Sequence, residues 1–146
     1  MIAPDDPSLA LLGETGGPAL ILYDGDCVIC SRWFRFVAER DTARTFLFAA
    51  IQSPFGRALA QQHGIDPDNP YSNAVLKDGH VYLRSDSAIA ALSALPSYGA
   101  VRALRIIPKP LRDRVYDLIA RNRYRWFGKN ASCDLGGARY ADRVIG

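Results

Sequence analysis

The chain has 146 residues, 49% hydrophobic and 23% charged, with a net charge of +3 and three cysteines. That length fits one domain able to bury about two-thirds of its unfolded surface without covalent staples. Three cysteines are too few for a secreted disulfide framework, and no stretch approaches the roughly 18 apolar residues of a membrane span, so the expected compartment is the cytoplasm.

Residues 1–18 form a Pro/Gly-punctuated arm with Asp5, Asp6 and Glu14 and no Lys or Arg. Its apolar stretch Leu9-Ala10-Leu11-Leu12 is too short for a signal-peptide core. Ala19-Leu20-Ile21-Leu22-Tyr23 is continuously apolar, the pattern of a strand buried on both faces. From Val28 to Arg40, Ile29, Trp33, Phe36 and Val37 repeat at i, i+4, i+7 and i+8, which predicts a helix with one apolar stripe packed on the sheet. Thr45–Ala49 is a second strand. Ser53-Pro54 caps the next helix and Gly64 closes it. Asn73–Lys77 and His80–Arg84 flank Asp78-Gly79, a strong hairpin signal. Ser85 or Asp86 then caps a helix running toward Leu95-Pro96. This β-α-β-α-β-β-α order, with additional C-terminal helices, predicts a mixed sheet covered by helices, the α/β arrangement of a thioredoxin-like fold.

Cys27-Val28-Ile29-Cys30 falls at the first strand-to-helix junction. A helix start presents unpaired N–H groups and the positive dipole end, which stabilise a thiolate, so Cys27 is the candidate nucleophile. Cys30 lies one turn along the same face, a spacing compatible with a disulfide. The alternatives are two small core residues, or half a zinc site completed from Cys133, His63 and His80. A Cys-x-x-Cys pair directly after a strand in a βαβ pattern favours redox chemistry. Asp26 is expected to cap the helix. Asp24 is either a turn residue or a general base that takes the proton of Cys30. Trp33, Phe34, Phe36, Phe46 and Phe48 are expected in the core, with Tyr23 or Trp33 as candidates for the rim of the thiol site.

Asp24, Cys27 and Cys30 spell Asp-x-x-Cys-x-x-Cys, and Tyr23–Cys30 resembles the DCC family of thiol-disulfide oxidoreductases, named for that motif. Asp78-Gly79, Tyr82–Ala88, Ile107–Asp113 and Ala120–Gly128 look like further segments of the family, so the resemblance covers about residues 19–133. It implies a thioredoxin-like fold and thiol exchange with a disulfide-containing protein or small thiol substrate. Electrons would come from a cellular thiol reductant, with no bound cofactor or metal. Thioredoxins place a cis-proline at the start of the strand facing the cysteine pair. Here Tyr71 falls at that position and Pro70 one residue earlier, and a trans bond is expected.

Residues 100–129 hold nine of the 18 Lys and Arg against Asp113 and Asp117, about +7, whereas residues 1–99 carry −4. Leu111, Val115, Leu118, Ile119 and Trp126 form a helical stripe expected to dock on the core, leaving a basic face outward and remote from Cys27. That face is a solvated surface or attracts acidic protein, anionic lipid or nucleic acid. No nucleic-acid motif accompanies it, so nucleic acid is not the expected partner. The organisation expected is an arm (1–18), a thioredoxin-like domain with a basic helical extension (19–129) and a tail (130–146). Cys133 in the tail is a second resolving thiol or incidental. A reading from another class is a thioredoxin-like binding module whose basic face recruits a partner while its cysteines are idle or hold metal.

Overall fold

The computed structural model describes residues 1–130 and 138–146, so Cys133 lies outside the described residues. The elements are β1 (Ala19–Tyr23), α1 (Val28–Arg40), β2 (Phe46–Ala50), α2 (Pro54–Gln62), β3 (Ala74–Lys77), β4 (His80–Leu83), α3 (Ser85–Ser93) and α4 (Lys109–Phe127). A 3-10 segment at Gly99–Ile106 leads into α4. The strands form one sheet in the order β2-β1-β3-β4, with β2 parallel to β1, and β3 antiparallel to both β1 and β4. This is the expected thioredoxin-like arrangement; β1 has the limits read from sequence, and those of the other strands differ by at most one residue.

Every residue of β1 is buried because the strand lies mid-sheet with helices on both faces. Side chains alternate across a strand. Ala19, Ile21 and Tyr23 therefore join Phe34, Val37 and Phe48 in one core, while Leu20 and Leu22 join Ala49, Ile51 and Ala60 in the other. Tyr23 stacks on Phe34 with ring centroids 4.5 Å apart, and Phe34 meets Phe48 edge-on at 4.7 Å. Burying each such ring contributes about 1.5–3 kcal/mol. Tyr23 is thus a core residue rather than part of a thiol rim. The β3–β4 turn has φ of +52° at Asp78 and +76° at Gly79, the left-handed pair that this hairpin type requires.

Both chain ends pack on this frame. Ile2, Leu9 and Leu12 cover the second core. Arg143 bonds Asp41 at 2.6 Å and donates to the Ala38 and Phe46 carbonyls, which holds Val144 and Ile145 beside β2.

Two local expectations in the second half of the chain fail for a tertiary reason. The expected cap of α3 at Ser85 or Asp86 is absent: Arg84, at φ +52°, takes the cap position, and Ser85 donates its hydroxyl to Asp113 of α4. The apolar stripe of α4 is not docked. Leu111, Val115, Leu118, Ile119 and Trp126 are all exposed, whereas Asp113 and Arg123 are the buried residues of the helix. The side facing the fold is polar because it binds the ends of other elements: Asp113 bonds Ser85, the Tyr116 hydroxyl accepts from the Asn73 N–H, and Arg123 reaches β1's loop.

Candidate active site

β1 delivers the chain into the loop Asp24-Gly25-Asp26, and α1 starts immediately after Cys27. Cys27, not Asp26, occupies the N-cap, with extended backbone (φ −89°, ψ 124°). Its Sγ accepts the Cys30 N–H at 3.4 Å, so the sulfur takes the capping position that an oxygen usually holds. Asp26 is displaced from that role because its own N–H donates to Asp24 Oδ1 at 3.0 Å and its carbonyl accepts from Asn130.

The two thiols are driven apart. Cys27 is held down to about 7, chiefly by the hydrogen bond from the Cys30 thiol, helped by the Cys30 N–H and Arg123 and opposed by burial and the Asp24 charge. Cys30 is pushed well above the ordinary thiol range because it donates to Cys27, is desolvated, and lies near the charges of Cys27 and Asp24. A helix start, one sulfur stabilised as thiolate and one retaining its proton is the electrostatic division of labour that thiol exchange uses.

Their access also differs. Cys30 lines a cavity of about 290 Å³ with Ile29, Trp33, Tyr71, Tyr116, Ile119 and Arg123 among its walls. Trp33 is therefore at the thiol site. Cys27 is fully buried. Residues 128–130 lie over it: Val28 N–H donates to the Gly128 carbonyl at 3.4 Å, and Asn130 N–H to the Asp26 carbonyl at 2.8 Å. Asn130 Nδ2 adds bonds of 2.8 Å to the Gly25 carbonyl and to Ser31 Oγ. Gly128 makes the reversal after α4 at φ +85°, a region that favours glycine. Asn130→Ala removes the two side-chain bonds, each worth about 0.5–1.5 kcal/mol. Cys27 in the reduced protein should then react about tenfold faster with iodoacetamide, since local opening governs access. An unchanged rate would mean the segment does not limit access.

Asp24 is a buried carboxylate with every oxygen engaged. Oδ1 accepts from Gln52 Nε2 at 2.7 Å and Asp26 N–H at 3.0 Å, and Oδ2 from the Tyr124 hydroxyl at 2.5 Å and Arg123 Nη2 at 3.3 Å. Arg123 also donates to the Pro70 carbonyl at 2.6 Å. Among the described residues Asp24 makes no hydrogen bond to Cys30, although both line the cavity. The bond preceding Pro70 is trans.

These contacts correct the expected separation of a basic C-terminal face from the thiol centre. Arg123 and Tyr124 are site residues, reached across about a hundred positions of sequence. Gln52, Tyr116 and Asn130 also escape sequence reasoning, because nothing local marks them. The available signal is the stripe Asp113, Tyr116, Ala120 and Arg123 at i, i+3, i+7 and i+10, a polar seam along one side of α4. His63 and His80 take no part in the site; His80 bonds the Asp78 carbonyl in the hairpin turn. Among the described residues no three metal-ligating side chains gather, and no helix is long and apolar enough to cross a membrane.

The profile of DCC1-like thiol-disulfide oxidoreductases matches residues 21–129. The uncharacterized protein YuxK of Bacillus subtilis is 37% identical over 117 residues, 80% of this chain and 85% of the relative. A chloroplastic DCC family protein of Arabidopsis thaliana is 31% identical over 118 residues, 80% of this chain and 69% of the relative. No solved structure matches the chain significantly.

Proposed function

We propose, from the premise that this chain belongs to the DCC1-like thiol-disulfide oxidoreductase family, that Cys27 and Cys30 form its reacting dithiol, Cys27 attacking and Cys30 resolving. The observation that carries this reading is the capping bond of Cys30 N–H to Cys27 Sγ, with the opposite displacement of the two thiols. The Cys27 thiolate attacks one sulfur of a substrate disulfide, forming a mixed disulfide and expelling the second sulfur as thiolate. Cys30 then loses its proton and attacks Cys27 Sγ, releasing the first substrate sulfur and leaving a Cys27–Cys30 disulfide. The substrate gains two electrons and the dithiol loses two, to be returned by a cellular thiol system. The substrate is a disulfide-containing protein or a small thiol in its disulfide form, and the working compartment is the cytoplasm.

The test is equilibration with glutathione redox buffers, followed by alkylation and mass measurement. The expected result is reversible loss of two hydrogens, localised to the Cys27–Cys30 segment. Two thiols that stay alkylatable at every poise, or a disulfide that thiols cannot reduce, would sink the reading.

Asp24 is the proposed proton acceptor for Cys30, acting through the shared cavity. Asp24→Asn should slow resolution of the mixed disulfide about tenfold or more. The first attack should be unchanged or faster, because the Asp24 charge raises the Cys27 thiol. Equal slowing of both steps would reduce Asp24 to an anchor for Arg123.

A further inference from the structure

The outer side of α4 breaks the usual burial rule. Ile106 is 86% exposed, Leu111 and Val115 55%, Trp126 52% and Leu118 47%. Successive helix residues turn by 100°, which sets Leu111, Val115, Leu118 and Trp126 in one outward band. Arg114, Arg121 and Arg125 recur at i, i+7 and i+11 and so form a row along its edge. The preceding 3-10 segment also exposes Leu104 and Ile106 and carries Arg102 and Arg105. Among the described residues the face contains no free carboxylate: Asp113 is buried against Ser85 and Lys109, and Asp117 pairs with Arg84 at 3.6 Å. Among the described residues, Arg102, Arg105, Arg114, Arg121 and Arg125 make no ion pair.

An exposed apolar band on a monomer marks an interaction surface, and here one of its edges is lined by arginines. A second copy is a poor occupant, since a two-fold antiparallel pairing of α4 sets the arginine row against its own copy. We propose that this face seats on an anionic lipid bilayer. α4, about 28 Å long, lies in the plane of the surface. Its aliphatic and tryptophan side chains enter the acyl boundary and the arginines pair with headgroup phosphates. The surface would hold the protein peripherally, without a spanning segment.

The probe is the whole chain mixed with vesicles of phosphatidylcholine alone, or of phosphatidylcholine containing about one-third phosphatidylglycerol. Co-sedimentation with the anionic vesicles only, lost at high salt and accompanied by a blue shift of Trp126 emission, is the expected result. Replacing Arg114, Arg121 and Arg125 together with Gln should lower the partition coefficient about a hundredfold. Leu111→Ser with Leu118→Ser should lower it with charge unchanged. All five positions are exposed, so thermal melting should stay at the parent value in both variants. Three outcomes overturn the proposal: equal partition into both vesicles; arginine dependence without leucine dependence, which is adhesion by charge alone; and a dimer in sedimentation equilibrium that Leu118→Ser dissociates while no lipid is bound.

Discussion

Cys27→Ser is expected to abolish disulfide turnover, by at least about a thousandfold, whereas Cys30→Ser should stop after one step with substrate sulfur bound to Cys27. Serine at position 27 offers a hydroxyl that is not ionised near neutral pH, so the attack is lost. Serine at position 30 retains a donor to the Cys27 sulfur but cannot resolve the adduct. Trapping the adduct and measuring its mass checks this result; an adduct formed by Cys27→Ser and not by Cys30→Ser would reverse the two roles. The pH dependence has a defined sign. Because the folded protein holds the Cys27 thiol down to about 7, its alkylation rate should level off above that pH and fall about tenfold per unit below it. The same shift links to folding. The depressed thiol adds stability that is fully present above the free-cysteine value near 8.5 and is lost as the pH drops through 7. Cys30→Ala, which removes the thiol donor, should move the alkylation midpoint upward.

Arg123→Met should destabilise the fold by about 3–5 kcal/mol, the cost of leaving the buried Asp24 charge without its cation. It should also move the Cys27 alkylation midpoint upward, since the Arg123 charge helps hold that thiol down. Arg121→Gln, two residues away and exposed, should stay within about 0.5 kcal/mol of the parent. Urea unfolding of the two variants makes the comparison. Equal stabilities would mean that the bond between α4 and the β1 loop is dispensable, and that Asp24 is carried by Gln52, Tyr124 and the Asp26 N–H alone.

Local physics made the first half of the chain legible in sequence. Five apolar residues at 19–23 can be satisfied only in a strand covered on both faces, and they lie mid-sheet. The 3.6-residue repeat from Val28 locates α1, Ser53-Pro54 locates the start of α2, and Asp78-Gly79 closes the hairpin, because each depends on neighbours within four residues. The cysteine pair at a helix start follows from the same rules. The capping residue does not, since Asp26 and Cys27 are both able to accept an N–H, and the bond from Asn130 to the Asp26 carbonyl holds that residue in the loop.

Contacts between distant segments were decided by the tertiary structure alone. The period of α4 defines its apolar and polar sides without saying which one meets the fold, and the assumption that apolar means buried picks the wrong side. Asp113, Tyr116 and Arg123 face inward because the ends of α3, β3 and β1 present polar partners there. Arg123 and Asp24 are 99 positions apart, and the cover over Cys27 comes from residues 128–130. Sequence by itself thus determined the strand, the helix start and the thiol pair. The cavity beside Cys30, the burial of Cys27 and the guanidinium that balances Asp24 arise only when α4 closes over the site, because nothing within a few residues of either partner encodes their meeting.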